Sequence, residues 1–143
     1  MQLNSSIVVP QGIRQVWRFL SDPLTAPRWD RSIAEVVPLS TAPVGVGYEA
    51  MTIAPSGKRQ RFRITQYDSE RGLAFVLLES RLFRRAELSF RLDQVPDGTR
   101  ILHRIDLDLR NPLLALLLRL TSRNALGTDM EYLRKALPED THD

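Results

Sequence analysis

The chain has 143 residues, of which 43% are hydrophobic and 26% charged, and its formal net charge is +3. This composition is typical of a folded water-soluble protein, and the length suffices for one hydrophobic core, so we expect a single domain over residues 1–143. The chain contains no cysteine, which excludes disulfides and thiolate metal sites.

No segment of the sequence predicts export or a membrane span. The most apolar run, residues 113–120, is about half as long as the roughly 20 residues that a bilayer crossing needs. The first residues lack the basic and apolar regions of a secretory signal. We therefore expect a cytoplasmic protein without integral membrane association.

The positive charge is carried mainly by arginine, and its densest patch is at residues 58–63. Arg59, Arg61 and Arg63 alternate along a predicted strand, so they share one face, and a solvated sheet face explains this pattern. Acidic residues are spread through the same chain, and it has no zinc-finger, helix-turn-helix or RNA-recognition signature. We therefore expect no nucleic-acid partner.

The first forty residues predict a strand, two short helices and a second strand. Residues 3–9 form a β-branched run that ends at a proline, and residues 10–20 carry apolar side chains at helical spacing. A short helix or turn is predicted over residues 24–29. Residues 33–39 predict a strand that Pro38 either places at the edge of a sheet or cuts short, because proline cannot donate a ladder hydrogen bond.

The middle of the chain predicts an antiparallel meander. Its strands are expected at residues 47–54, 58–67, 72–78, 86–95 and 100–109. A Pro-Ser-Gly turn at residues 55–57 joins the first two of these strands, and an Asp-Gly pair at residues 97–98 indicates the last hairpin. With the two earlier strands, the chain predicts a sheet of seven strands.

The two hairpins allow specific strand pairs to be predicted. With Asp97-Gly98 as the loop, the inner face of the last hairpin would pair Leu92 with His103, Phe90 with Ile105 and Leu88 with Leu107. In the earlier hairpin the predicted inner side chains are Tyr48, Ala50, Phe62 and Ile64. Glu49 and Arg63 would then meet on the outer face as opposite charges. The sheet is therefore expected to have one apolar face.

Residues 112–137 predict one long helix that covers this apolar face. Asn111 is a good N-cap, Pro112 suits the first helical turn, and Pro138 ends the helix. In its second half a single apolar stripe is formed by Leu126, Met130, Leu133 and Leu137. The first half, residues 113–120, is apolar around its circumference, so it must be covered on all sides or face an apolar group from outside the chain.

Four segments and the order of the elements resemble the polyketide cyclase/dehydrase family of the START-like superfamily. The segments are Val-Trp-Arg-Phe-Leu-Ser-Asp-Pro at 16–23, Pro-Arg-Trp-Asp at 27–30, Val-Gly-Val-Gly at 44–47 and Asp-Gly-Thr-Arg at 97–100. The resemblance implies an α+β helix-grip fold, in which a seven-stranded antiparallel curved sheet wraps around a long C-terminal helix. Two short helices would lie between strands 1 and 2. It also implies a deep, mostly apolar cavity for a lipid-, sterol- or polyketide-like molecule, without a catalytic residue set that can be carried over.

Two polar residues have alternative interpretations. His103 lies mid-strand among apolar residues, so its imidazole should face the cavity. It could act as a general acid/base or hydrogen-bond a ligand carbonyl, or it could be a core histidine satisfied by a backbone carbonyl or Tyr48. Arg119 could hold an anionic ligand group at the cavity mouth, or leave its guanidinium in water beside the helix.

His103 is the best candidate for a catalytic residue. The residues that we expect to bind a ligand are Trp29, Tyr48, Phe62, Ile64, Phe75, Phe90, His103, Ile105, Leu116 and Arg119. Neither a phosphate-binding glycine loop, a Gly-x-Ser-x-Gly elbow nor a His-Glu-x-x-His motif occurs, and the two histidines are far apart. We therefore expect no cofactor and no metal.

Three functions remain open. The first is a binding protein for a hydrophobic or amphipathic small molecule. The second is a cyclase or dehydratase that uses the same cavity. The third is a protein-interaction or membrane-surface module that makes contact through residues 113–120. We rank them in this order and expect a monomer or a homodimer.

Overall fold

The structure is a computed structural model, and it describes residues 1–114 and 130–138. Its strands are β1 (Gln2–Val9), β2 (Glu35–Pro38), β3 (Glu49–Ile53), β4 (Arg59–Asp68), β5 (Gly72–Leu78), β6 (Phe83–Val95) and β7 (Gly98–Leu109). Between β1 and β2 lie the helix α1 (Ile13–Leu20) and a 3-10 helix (Pro23–Arg28). Residues 112–114 and 130–136 are also helical.

The seven strands form one curved antiparallel sheet in the order β1-β7-β6-β5-β4-β3-β2. Strands β2 to β7 follow one another across the sheet, which confirms the predicted meander, and β1 pairs with β7 so that Ile7 lies opposite Ile101. Strand β2 lies at an edge and ends at Pro38, as its missing N–H requires.

The pairing of β3 with β4 is as predicted. Glu49 lies opposite Arg63, and its carboxylate is 3.5 Å from the Arg63 guanidinium and 2.9 Å from that of Arg61. The predicted inner side chains Tyr48, Ala50, Phe62 and Ile64 are all buried. Alternation along the two strands therefore separates charged from apolar side chains, as the sequence indicates.

A β-bulge changes the alternation further along β4. The pairing with β5 passes from Ile64 opposite Phe75 to Gln66 opposite Ala74 and leaves Thr65 without a partner in the ladder. The extra residue returns Tyr67 to the inner face, where its ring packs edge to face on Trp17 at 5.0 Å.

The predicted register of the last hairpin is wrong. Phe90 lies opposite His103, Leu92 opposite Ile101 and Leu88 opposite Ile105. The loop is Pro96-Asp97, and Gly98 is already paired with Val95. Each partner therefore changes by two positions, and because two is the period of a strand, the predicted inner side chains remain on the inner face.

Gly98 explains the position of this loop. Its φ is 138°, a conformation that L side chains rarely adopt, and a Cβ at this position would collide with the carbonyl oxygen of Val9. Pro96 suits the first corner of a turn, because its φ is set by its ring. The tight approach of β1 and the proline together make Gly98 a strand residue rather than a loop residue.

The ends of the predicted C-terminal helix are described, but its middle is not. Asn111 caps the first end, because its Oδ1 accepts a hydrogen bond from the Leu113 N–H at 3.0 Å. At the other end, the buried members of the apolar stripe are Met130, Leu133 and Leu137. The amides of Gln11 and Gln15 donate to the Pro138 carbonyl at 2.9 and 3.0 Å, which ties this end to the start of α1.

Part of the helix prediction falls outside the described residues, including Leu116, Arg119 and Leu126. A continuous helix over 112–137 therefore stays a prediction. Within residues 1–114 and 130–138, no helix is both long enough and apolar enough to cross a membrane.

Candidate ligand-binding site

A cavity of about 460 Å³ lies between the inner face of the sheet and the segment around the 3-10 helix. The described apolar residues of its lining are Leu20, Pro23, Ala26, Trp29, Ile33, Val36, Ala54, Phe62, Ile64, Leu73, Phe75, Leu77, Leu82, Phe83, Leu88 and Phe90. The volume is within the range of about 300–1,000 Å³ that is usual for small-molecule sites.

The placement of the two short helices explains why the cavity is there. Helix α1 packs against β6 and β7, whereas the 3-10 helix packs against β2. The inner faces of β4 and β5 lie between these contacts, and their alternating apolar side chains line the cavity. Two aromatic pairs shape its walls, Phe62 with Phe75 and Trp29 with Phe90, each with ring centroids 5.4 Å apart.

His103 lies at the buried end of this lining. Its side chain is on β7 directly opposite Phe90, and the two rings stack with centroids 4.3 Å apart and an angle of 8°. The residue is only 4% exposed. Neither ring nitrogen has a hydrogen-bond partner among the residues that the structure describes. Buried polar atoms are rarely left in this state.

Burial lowers the pKa of His103 to about 4, because an apolar environment disfavours the charged form. The imidazole is therefore neutral at pH 7, with one N–H donor and one nitrogen acceptor. Tyr48, which the sequence offered as a partner, packs in a cluster with Val36 and Ala50 and makes no hydrogen bond to the imidazole. The interpretation as a satisfied core histidine finds no support in the described part of the chain.

The other polar side chains of the described lining are half-buried or exposed. Asp22 accepts a hydrogen bond from the Leu24 N–H at 3.0 Å, and Asp30 accepts from the Ser32 N–H and hydroxyl at 2.9 and 2.6 Å. Both carboxylates thus serve local turns. Lys58 is exposed at the rim. Among the described residues, no group of three or more His, Asp or Glu side chains could hold a metal ion.

Most of the predicted site residues come together. Six of the ten line the cavity, namely Trp29, Phe62, Ile64, Phe75, Phe90 and His103. Tyr48 and Ile105 are not among the lining residues. Tyr48 is buried in the cluster at the β2 side of the sheet, and the corrected register moves Ile105 to a position opposite Leu88, one step beyond the Phe90 pair. Leu116 and Arg119 lie outside the described residues.

Several lining residues were not predicted. Leu73 and Leu77 share the inner face of β5 with Phe75, and simple alternation from Phe75 would have found them. The contribution of the segment around the 3-10 helix, such as Ala26 and Ile33, depends on how that segment folds over the sheet. No local pattern could have indicated it. Contact of these residues with a ligand stays a prediction.

Solved structures with the same fold cover almost the whole chain. A START superfamily protein from Mycobacterium smegmatis has a TM-score of 0.78 at 15% identity, covering 95% of this chain and 96% of that one. Proteins from Mesorhizobium loti and Thermus thermophilus have TM-scores of 0.76 and 0.74 at 15% and 17% identity. Both matches cover 96% of this chain. They extend over 96% of the Mesorhizobium loti protein and 97% of the Thermus thermophilus protein. At such identities the likeness establishes the fold alone.

Sequence comparison gives a family and no individual relative. No curated protein matches the chain. The family described as polyketide cyclase/dehydrase and lipid transport matches residues 1–138, a range that includes β1 to β7 and every described residue of the cavity lining. Because this match extends over nearly the whole chain and the fold agrees with it, the chain belongs to the polyketide cyclase/dehydrase and lipid transport family.

Proposed function

We propose that this protein binds a hydrophobic or amphipathic small molecule in the cavity between the sheet and the segment around the 3-10 helix. The observation that carries the proposal is an apolar cavity of about 460 Å³ whose buried end holds an imidazole without a hydrogen-bond partner among the described residues. Family membership supports it. The binding unit is the single domain over residues 1–143, acting in the cytoplasm as a monomer or homodimer without a nucleic-acid partner.

Burial of apolar surface supplies the driving force. A ligand that removes roughly 200 Å² of apolar surface from water gains about 5 kcal/mol at 25 cal/mol per Å², from which the cost of association must be subtracted. Aromatic walls such as Phe62 and Phe75 suit flat or ring-containing molecules. We expect a lipid-, sterol- or polyketide-like ligand. Leu116 and Arg119 lie outside the described residues, and their contact with the ligand stays a prediction.

A cyclase or dehydratase reaction in the same cavity is the second candidate, favoured by the position of His103 within the lining. A catalytic base works best when its pKa is near the working pH. Burial lowers the pKa of His103 to about 4, which makes the imidazole a weak base at pH 7. Binding is therefore the function that the site supports better.

The test uses two neighbouring leucines of the same strand. Leu77 lines the cavity, whereas Leu78 is the next residue of β5 and does not. Leu77→Trp should fill part of the cavity, while Leu78→Trp is the matched control on the opposite face. Binding is measured by the thermal shift of each protein with a fluorescent fatty-acid analogue and with a panel of sterols and polycyclic phenols.

A ligand present at 100 times its Kd stabilises the native state by about 2.7 kcal/mol, a readily measured rise in Tm. We expect this rise for the parent protein and Leu78→Trp, and at least a tenfold weaker apparent affinity for Leu77→Trp. Equal shifts in both variants would place the ligand elsewhere. An unchanged Tm of the parent protein across the whole panel would contradict the proposed function.

A further inference from the structure

His103 differs from every other described residue of the cavity lining, because it is both polar and almost fully buried. The remaining polar residues of the described lining are half-buried or exposed, and Lys58 and Asp22 are among the exposed ones. Within residues 1–114 and 130–138 the two ring nitrogen atoms of His103 have no hydrogen-bond partner, which leaves a hydrogen-bonding requirement at the buried end of an apolar cavity.

The geometry restricts where a partner can bind. Phe90 covers one face of the imidazole in a parallel stack, which holds the plane of the ring. Hydrogen bonds to imidazole form in the plane of the ring, at its nitrogen edges. The neighbour across the β1–β7 ladder, Ser5, makes no hydrogen bond to it. A group that pairs with His103 must therefore approach along the ring edge.

We propose that the ligand places an uncharged oxygen atom, a hydroxyl or a carbonyl, on the imidazole of His103. This inference rests on the proposed function and narrows its ligand to amphipathic alcohols, phenols and ketones, rather than hydrocarbons or carboxylate anions. A hydroxyl matches either ring nitrogen, because it both donates and accepts, and a carbonyl matches the N–H.

The charges around the cavity support an uncharged group. A carboxylate beside His103 would lose its hydration. At the buried end of the cavity the described lining residues provide no cation to compensate for that loss. Lys58 is exposed at the rim, and Asp22 and Asp30 would repel an anion entering there. Since burial lowers the pKa of His103 to about 4, the imidazole itself supplies no positive charge near neutral pH. An uncharged oxygen meets the hydrogen-bonding requirement without a buried charge.

The test compares four probes that share one ring system: naphthalene, 2-naphthol, 2-acetylnaphthalene and 2-naphthoate. Their affinities are measured by isothermal titration calorimetry for the parent protein, His103→Leu and His103→Gln. In the parent we expect 2-naphthol and 2-acetylnaphthalene to bind at least about fivefold more tightly than naphthalene, a usual effect of one net hydrogen bond. His103→Leu should lose this preference and keep its affinity for naphthalene, whereas His103→Gln, which retains a donor and an acceptor, should keep part of it.

A second measurement needs no substitution at His103. In ¹⁵N-histidine-labelled protein carrying His142→Gln, only the His103 imidazole is observed. Its resonances should shift on addition of 2-naphthol and remain in place with naphthalene. This readout stands even if the His103 variants do not fold.

The outcomes separate this inference from the proposed function. If naphthalene and 2-naphthol bind equally well, or the preference survives in His103→Leu, the inference is overturned and the binding function remains. Tighter binding of 2-naphthoate than of 2-naphthol, lost in His103→Leu, would show that the buried end takes an anion and would also overturn it. If none of the probes nor any member of the broader panel binds the parent protein, both proposals fall.

Discussion

Replacing His103 by leucine should remove a defined part of the pH dependence of stability. Burial lowers the pKa of His103 from 6.5 to about 4 in the folded protein, so between these pH values the unfolded state binds more protons than the native state. Stability from this residue is therefore fully present above pH 6.5 and is lost as the pH falls towards 4. The full loss is about 3 kcal/mol at 1.36 kcal/mol per pKa unit, and about 2 kcal/mol of it falls between pH 7 and pH 5.

The assay is urea denaturation at pH 7 and pH 5, followed by tryptophan fluorescence, in a His142→Gln background that leaves His103 as the only histidine. Carboxylates contribute equally to both proteins, so the quantity of interest is a difference of differences. The free energy of unfolding should fall by about 2 kcal/mol less for His103→Leu than for its background between these pH values. Parallel losses would refute the reasoning, because they would mean that His103 is not held neutral by burial.

Three further predictions concern backbone, surface and binding. Gly98→Ala should destabilise the fold by more than about 2 kcal/mol in urea denaturation, since its Cβ meets the Val9 carbonyl. Gly57 also has a positive φ but has open space around it, so Gly57→Ala should cost only about 1 kcal/mol. Equal losses of stability in the two variants would show that the collision with Val9 is not the cause. Glu49→Gln should cost less than about 1 kcal/mol, because the side chains of Glu49 and Arg61 are 24% and 41% exposed. This loss of stability should shrink in 1 M NaCl, and a loss that does not depend on salt would indicate a packing effect instead. Binding of a non-fluorescent sterol should change the fluorescence emission of Trp29, because this residue lines the cavity. The change should vanish in Trp29→Phe and persist in Trp17→Phe. A change that persists in Trp29→Phe and vanishes in Trp17→Phe would place the ligand against α1.

Much of the sheet could be predicted from the sequence because its signals are local. The bounds of β5, residues 72–78, are as predicted, since a glycine and a polar loop enclose one apolar run. The Glu49–Arg63 pair follows from alternation and a short turn. The helix cap at Asn111 likewise depends only on neighbouring residues. Each of these features is decided within a few residues of the chain.

The errors arise where distant segments meet. The Asp97-Gly98 pair indicates a two-residue loop by local rules, but the close approach of Val9, almost ninety positions away in the chain, places Gly98 within the ladder. The bulge at Thr65 is similar, because it brings Tyr67 onto Trp17 of α1. Contacts between distant segments override local preferences in both places.

The candidate site shows the same division most clearly. The sequence by itself determined which strand side chains face inward, and hence that Phe62, Ile64, Phe90 and His103 share one apolar surface. Only the tertiary structure decided that this surface encloses a cavity, because the cavity depends on the placement of α1 and the 3-10 helix over the sheet. In the same packing, the ring nitrogen atoms of His103 have no hydrogen-bond partner among the described residues. An inward-facing residue is a property of one strand, whereas an empty space beside it is a property of every element packed around it.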